Sequence, residues 1–191
     1  MQHISFAENA WENSGFVYAY TRLFPQTPVF TQAADHVENQ ADPDGPGGYE
    51  NISLLTERKY CAGTTVSATM EFEGLGAPII MLSETMERDE NGALRFDDYF
   101  EVVLYKNGIN VWRLEPKDGK VVWHKLVGVE FPLAENERHS LSVQINEKTL
   151  VIDADCHRIT LWSEELPAEF HVGIDACEGI NRFYDLTIAE K

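Results

Sequence analysis

Cysteine is scarce in this chain of 191 residues, which contains only Cys61, Cys156 and Cys177. The three are odd in number, lie far apart, and form no CxxC pair. A disulfide framework and a cysteine-ligated zinc site are therefore not expected. Three reduced thiols are typical of a protein in a reducing compartment, so we expect a cytoplasmic location.

Positive charge and long apolar runs are also lacking. Against 32 Asp and Glu stand only 15 Lys and Arg, which gives a net charge of −17 and a pI of about 4.6. Because no basic cluster offsets repulsion from a polyanion, nucleic acid is excluded as the main partner. No segment approaches the roughly 20 apolar residues of a membrane-spanning helix. Residues 1–8 lack the basic and apolar stretches of a signal peptide, so no membrane partner is expected either.

Helical periodicity is absent as well, and alternation of apolar and polar residues dominates instead. Short alternating segments separated by turn residues are typical of an antiparallel sandwich or barrel. The sequence therefore predicts an all-β fold of two stacked antiparallel sheets. The predicted strands are 52–58, 64–72, 78–83, 99–105, 109–115, 120–126, 140–146, 150–154, 158–161, 169–175 and 182–188.

The length and a hydrophobic content of 43% fit one globular domain over residues 1–191. Residues 1–48 are less regular, with a possible strand near residues 16–20 and a Pro/Gly-rich loop at 42–48. We interpret them as an irregular segment packed on a core formed by residues 49–188.

The centre of the chain predicts two consecutive hairpins. Asn107-Gly108 suits a two-residue type I′ turn, which would pair Val103 with Trp112. A second turn over residues 116–119 would pair Trp112 with Trp123. Because side chains alternate, one face is predicted to carry a mixed set of aromatic and polar residues. These are Tyr99, Glu101, Val103, Tyr105, Asn110, Trp112, Leu114, Val121, Trp123 and Lys125.

This face has the composition of a sugar-binding platform. Aromatic rings pack against the apolar C–H side of a pyranose, while fixed polar groups bind its hydroxyls. A cross-strand tryptophan pair that only stabilises the sheet remains the alternative. The assignment depends on register, because a slip of one residue would send Trp112 and Glu101 to opposite faces.

The order of strands and turns over residues 49–188 resembles the concanavalin A-like lectin/glucanase superfamily. The segments that carry the resemblance are 49–56, 66–72, 139–145, 150–152, 170–174 and 183–188. The resemblance implies a jelly roll of two curved sheets, with sugars bound in the concave sheet. Retaining glucanases of that superfamily carry an E-x-D-x-x-E or E-x-D-x-E strand, and no segment here matches it.

Further candidates for chemistry lie near the C-terminus. His171 and Asp175 are predicted on one face of a strand, where a histidine–carboxylate pair could transfer protons. Glu178 lies in the following loop at the rim of the predicted sandwich. No cofactor or catalytic metal site is predicted. A structural Ca²⁺ is left open, either at Asp42 and Asp44 or in the acidic segment 87–98.

Three hypotheses follow for function. The first is a lectin-like protein that binds a small saccharide or glycoside. The second is a carbohydrate-active enzyme of the glycoside hydrolase or lyase type, with Glu101 as its acid and Lys125 or His171 as a helper. The third is an assembly subunit, such as a homo-oligomer, that uses the aromatic face as a protein interface.

Overall fold

The computed structural model describes residues 1–23, 27–39, 51–118 and 120–191. A single-turn 3₁₀ helix spans Ala7–Asn9, and it is too short to cross a membrane, as is every helix in the described ranges. The strands are β1 (Gln2–Ser5), β2 (Phe16–Thr21), β3 (Thr31–Gln32), β4 (Val37–Glu38), β5 (Ile52–Thr56), β6 (Tyr60–Cys61), β7 (Thr65–Glu73), β8 (Ala77–Ser83), β9 (Glu87–Arg88), β10 (Leu94–Phe96), β11 (Tyr99–Tyr105), β12 (Gly108–Lys117), β13 (Lys120–Glu130), β14 (His139–Asn146), β15 (Thr149–Ala154), β16 (His157–Trp162), β17 (Glu169–Cys177) and β18 (Ile180–Ala189).

These strands form two sheets. Sheet I has the order β16-β15-β14-β7-β18-β4-β3, and β1 also pairs with β18. Sheet II has the order β13-β12-β11-β8-β17-β5-β2-β10-β9, and β6 also pairs with β17. Pairing is antiparallel throughout the described ladders except between β2 and β10. The prediction of an all-β protein with two antiparallel sheets is therefore confirmed.

The core lies between the two sheets and follows directly from alternation in the sequence. In β7 every second residue is buried, from Val66 to Phe72. In β11 the alternate residues Phe100, Val102 and Leu104 turn to the same core from sheet II. Removing these side chains from water is the main force that holds the sheets together.

Strands from the first forty residues join both sheets. β1 and β4 pair with β18 in sheet I, whereas β2 pairs with β5 in sheet II. Phe6, Trp11 and Phe30 belong to the central core. The Pro/Gly-rich loop at 42–48 lies outside the described residues.

The outer face of sheet II, which points away from the core, carries a second and smaller apolar cluster. Its members are Ala19, Leu55, Ile79, Met81, Phe96, Tyr99, Val103 and Leu114. Partly buried side chains from neighbouring loops, including Leu23 and Met86, pack against it. Part of the outer face is therefore covered, and a pocket remains where the cover ends.

The first central hairpin differs from the predicted one by two residues. Tyr105 pairs with Gly108, so the loop is Lys106-Asn107 rather than Asn107-Gly108. Glu101 consequently pairs with Trp112, and Val103 pairs with Asn110. A shift of two residues keeps every side chain on its predicted face, because the side-chain period of a strand is two.

The second hairpin is displaced in the same way. Leu114 pairs with Trp123 and Trp112 pairs with Lys125, so the two tryptophans are diagonal neighbours and not a direct pair. The register then shifts between Val111 and Trp112, and Val111 pairs with Val127. This bulge on β13 is a feature that hydrophobic alternation does not reveal.

Candidate functional site

A pocket of about 290 Å³ opens on the outer face of sheet II. It lies where the β11–β12 turn approaches the β7–β8 loop and the end of β17. The residues that line it are Gly74, Leu75, Gly76, Ala77, Ile79, Glu101, Val103, Tyr105, Lys106, Asn110, Trp112, Trp123, Cys177 and Glu178.

The structure brings together six of the nine predicted site residues in this lining. They are Glu101, Tyr105, Asn110, Trp112, Trp123 and Glu178. Lys125 lies at the edge, with its Nζ 5.6 Å from the centre of the Trp112 ring. Tyr99 and His171 lie elsewhere.

The two tryptophans form an angled wall. Their ring centres are 6.2 Å apart and their planes meet at 80°, which is an edge-to-face contact. Trp123 remains 49% exposed, whereas Trp112 is partly covered by its neighbours. An angled pair leaves ring surface open to a ligand and also stabilises the hairpin, so the two explanations of this pair are compatible.

Glu101 provides a carboxyl group within the pocket. Its residue is only 6% exposed, and its cross-strand neighbours are Met81 and Trp112. Burial without a hydrogen-bond donor from the described residues penalises the charged form, which raises the pKa of Glu101 to about 8. At neutral pH this side chain is therefore mainly a neutral acid that can donate a hydrogen bond.

A second buried carboxyl group lies near Glu101. Asp175 is 1% exposed on β17, and one strand, β8, separates it from β11. Its Oδ1 atom has no hydrogen-bond partner among the described residues. Burial, with the negative charge of Glu101 as a further cause, raises the pKa of Asp175 well above its usual range.

The sequence did not predict this pair of carboxyl groups, because Asp175 was expected to pair with His171 on the same strand. The outer face of β17 carries His171 and Asp175 about 13 Å apart along the strand, at about 3.3 Å per residue. The His171 Nδ1 donates a hydrogen bond to the Thr56 carbonyl at 2.8 Å. Burial lowers the pKa of His171. The structure therefore places His171 neither in the pocket nor within reach of Asp175.

Tyr99 is on the predicted face but is not open to a ligand. It is 2% exposed, and its ring contacts Phe96 edge-to-face with centres 4.8 Å apart. Burial is the main cause that raises the pKa of the Tyr99 hydroxyl. Tyr99 is thus part of the outer apolar cluster, because β10, which sequence reasoning missed, brings Phe96 over it.

The opposite wall of the pocket also escaped sequence reasoning. It consists of residues 74–77 together with the β17–β18 turn. Gly179 has φ of +41°, and a Cβ there would be 2.2 Å from the Gly76 nitrogen. The two loops touch through glycine backbones, and the glycines at 74, 76 and 179 are the only sequence signal for this contact.

No metal site emerges from the described ranges, where no group of three or more His, Cys, Asp or Glu side chains is arranged to hold an ion. In the acidic segment, the Asp89 carboxylate accepts hydrogen bonds from the Asn91 and Ala93 amides and from Arg95. Asp42 and Asp44 lie outside the described residues. Structural Ca²⁺ at that loop therefore stays a prediction.

Comparison of whole folds identifies similar solved structures. The carbohydrate-binding module CBM66 from Bacillus subtilis matches with a TM-score of 0.65 and 11% identity, over 92% of this chain and 96% of that one. A β-agarase A in complex with oligoagarose matches with a TM-score of 0.67 and 10% identity, over 99% and 88%. Rv0315 of Mycobacterium tuberculosis, described as a pseudo β-1,3-glucanase, matches with a TM-score of 0.57 and 13% identity, over 100% and 98%.

Sequence comparisons add nothing to this result, since no family model and no curated protein matches the chain. Identities of 10–13% support a shared fold and not a shared activity. The similar structures and the two antiparallel sheets agree with the resemblance seen in the sequence. The chain therefore has a concanavalin A-like jelly-roll fold.

Proposed function

We propose that the pocket on the outer face of sheet II binds a small carbohydrate. The observation that carries the proposal is the combination of two angled indole rings with a neutral acid, an amide and a phenol in one pocket. Indole faces suit the C–H surface of a sugar ring, whereas Glu101, Asn110 and Tyr105 supply hydrogen-bonding groups for hydroxyls. The volume of about 290 Å³ is at the lower end of ligand pockets, which suits one or two sugar rings.

The similar folds support the same proposal without deciding it. One is a carbohydrate-binding module, and another is an agarase bound to oligoagarose. Proteins that share a fold can differ in function, so the proposal depends mainly on the residues of the pocket. The indole ring of Trp123 is half exposed, so part of its surface is available to contact a ligand. The same pocket contains the buried carboxyl group of Glu101.

Trp123→Ala should abolish most of the binding. Losing the contact of one indole with a sugar removes about 1.5–3 kcal/mol, which weakens affinity by roughly 10- to 150-fold. Trp123 is half exposed, so the variant should keep its fold. The measurement is a fluorescence titration with mono- and disaccharides and aryl glycosides, checked by calorimetry.

Trp162→Ala is the matched control, because Trp162 is 61% exposed on β16 of sheet I, away from the pocket. Its affinity for the same sugars should equal that of the wild type. Equal losses in both variants would contradict binding at this pocket. No response to any sugar, together with a dimer that buries Trp112 and Trp123, would favour an assembly subunit instead.

A second candidate function is hydrolysis or elimination at a glycosidic bond. The observation that favours it is Glu101, a buried carboxyl group that stays protonated at neutral pH as a general acid must. Asp175 lies nearby but does not line the pocket. Of these two buried carboxyl groups, only Glu101 would therefore contact the substrate.

Glu101→Gln separates the enzyme from the lectin. If the pocket is catalytic, the variant should retain sugar binding within about threefold and lose product formation by at least 100-fold, because an amide cannot donate the proton. Product analysis of aryl glycosides incubated with both proteins measures this. Absence of product with the wild-type protein, despite saturable binding, would leave the lectin function alone.

A further inference from the structure

The β17–β18 turn forms part of one wall of the pocket, and Glu178 occupies its first position. Glu178 has φ of +54° and the following Gly179 has φ of +41°, so both residues of this two-residue turn are left-handed. Type I′ turns need positive φ at both central positions and favour Asn, Asp or Gly there. Glutamate lacks a short side chain that hydrogen-bonds to the local backbone, so its left-handed conformation is strained.

This strain is uncommon within the described ranges. Six residues other than glycine are left-handed there, and four of them are Asn or Asp, which tolerate the conformation. The other two are Glu8 and Glu178, of which Glu178 lines the pocket. A strained residue at a binding pocket points to a function of its side chain, because the cost in stability is then tolerated for that function.

Two buried asparagines hold this turn in place. The Asn181 Nδ2 donates hydrogen bonds to the Glu178 carbonyl at 2.8 Å and to the Cys177 carbonyl at 3.1 Å. The Asn39 Nδ2 donates to the Gly179 carbonyl at 3.0 Å, and the Asn39 Oδ1 accepts from the Asn181 amide at 2.7 Å. Asn39 and Asn181 are 1% and 0% exposed. Water can satisfy the carbonyls of an exposed turn, so this buried support indicates a turn that is fixed in one position.

The carboxylate of Glu178 is available to a ligand. The residue is exposed, and its carboxylate forms no hydrogen bond or ion pair with the described residues. Burial is the main cause that raises the pKa of the Cys177 thiol, and the negative charges of nearby carboxyl groups, Glu178 among them, add to that shift. Cys177 lines the pocket, so the charge of Glu178 acts on the pocket itself. Each oxygen of an unpaired carboxylate can accept a hydrogen bond.

From this arrangement we propose that Glu178 is a specificity-determining residue of the pocket, whose carboxylate accepts hydrogen bonds from two neighbouring hydroxyls of the sugar. Two neighbouring hydroxyls match the two carboxylate oxygens, and hydrogen bonds to a charged acceptor are stronger than those between neutral groups. Glu101 and Asn110 lie on β11 and β12, so the sugar is held from two sides. This inference rests on the proposed carbohydrate function and names the group that distinguishes one sugar from another.

Monodeoxy sugars test the pair of hydroxyls. Methyl glucoside, methyl galactoside and methyl mannoside are titrated by tryptophan fluorescence, together with each of their monodeoxy forms. For the parent sugar that binds most tightly, loss of either of two neighbouring hydroxyls should weaken binding to the wild type by about tenfold, since a hydrogen bond to a charged group contributes at least that much. The Glu178→Gly variant should bind these two deoxy sugars as tightly as it binds their parent.

Glu178→Gly also separates the side chain from the turn. Glycine adopts the left-handed conformation without strain, so the variant should unfold at a higher urea concentration than the wild type. Its affinity for the preferred parent sugar should nevertheless fall by about tenfold or more. Asp118→Gly is the matched control, because Asp118 has φ of +50° in the β12–β13 turn and does not line the pocket. This control should leave sugar affinity unchanged.

Three outcomes would contradict the inference. If Glu178→Gly keeps the affinity and the hydroxyl preference of the wild type, Glu178 does not contact the sugar, and the carbohydrate function remains intact. If the variant loses both affinity and stability, the loss follows from a damaged turn, and the role of the carboxylate is overturned. If the wild-type protein binds none of these sugars, the carbohydrate function fails together with the inference.

Discussion

Glu101→Gln should make the stability of the protein much less dependent on alkaline pH. At pH 5 the variant and the wild type should unfold at similar urea concentrations, because Glu101 is protonated and the amide closely matches its shape. At pH 9 the variant should be more stable, by up to about 5 kcal/mol. This upper value corresponds to raising the pKa from 4.5 to about 8.

The sign follows from proton binding. Between pH 4.5 and 8 the folded protein holds a proton on Glu101 that the unfolded chain has lost, so stability falls as pH rises through this window. Above about pH 8 the loss is complete, since both states are then ionised. Asp175 adds to the same trend, because its pKa is also raised. Glutamine has no titrating proton, so the variant should not show the part of the stability loss at high pH that comes from Glu101.

Glu130→Gln provides the control, because it deletes one negative charge from an exposed position on β13. Its effect at pH 9 should be small, as general repulsion in a chain of net charge −17 is spread over many groups. Urea denaturation at pH 5, 7 and 9 measures all three proteins. Parallel pH profiles for Glu101→Gln and the wild type would show that Glu101 is not buried as the structure has it.

Gly173→Ala should remove most of the stability of the protein. A Cβ at this position would lie 1.8 Å from the Leu54 carbonyl oxygen and 2.9 Å from the Leu55 Cα. These are backbone atoms of β5, paired with β17 in the middle of sheet II. Relief requires the two strands to separate, which breaks their hydrogen bonds. We expect a loss of more than about 4 kcal/mol, against the 5–15 kcal/mol typical of a domain.

Gly92→Ala is the matched control. Gly92 has φ of +83°, and nothing lies within 4 Å of its added Cβ, so only the backbone conformation is strained. That strain costs about 1–2 kcal/mol. Urea unfolding followed by circular dichroism compares the two variants, and a Gly173→Ala protein too unstable to fold would show no cooperative transition. A loss no larger than that of Gly92→Ala would contradict the close approach of β5 and β17.

In the β11–β12 hairpin, alternation predicted the face of each residue correctly but not the position of the turn. The turn and both pairings were displaced by two residues, yet Glu101, Asn110 and Trp112 still share the outer face. The side-chain period of two protects face assignments from errors of two residues in register. Hydrophobic alternation therefore predicts faces better than it predicts turns.

For Tyr99 and His171, alternation predicts the correct face of the sheet but does not predict whether the side chain is accessible to a ligand. Both lie on the outer face as alternation requires, but β10 brings Phe96 over Tyr99, and Thr56 on β5 accepts a hydrogen bond from His171. Whether a residue on a face is open to ligand depends on segments distant in sequence. Alternation along one strand does not show which residues of its face are covered by other segments of the chain.

By itself the sequence determined the all-β fold, the alternate residues that form the core, and the face shared by Glu101, Tyr105, Asn110 and the two tryptophans. These features depend on local periodicity, which each strand carries in its own residues. Only the tertiary structure decided that Asp175 approaches Glu101 and that residues 74–77 close one wall of the pocket. Each of these contacts joins strands or loops far apart in the chain, and strand order and register, which set them, arise from packing of the whole sandwich.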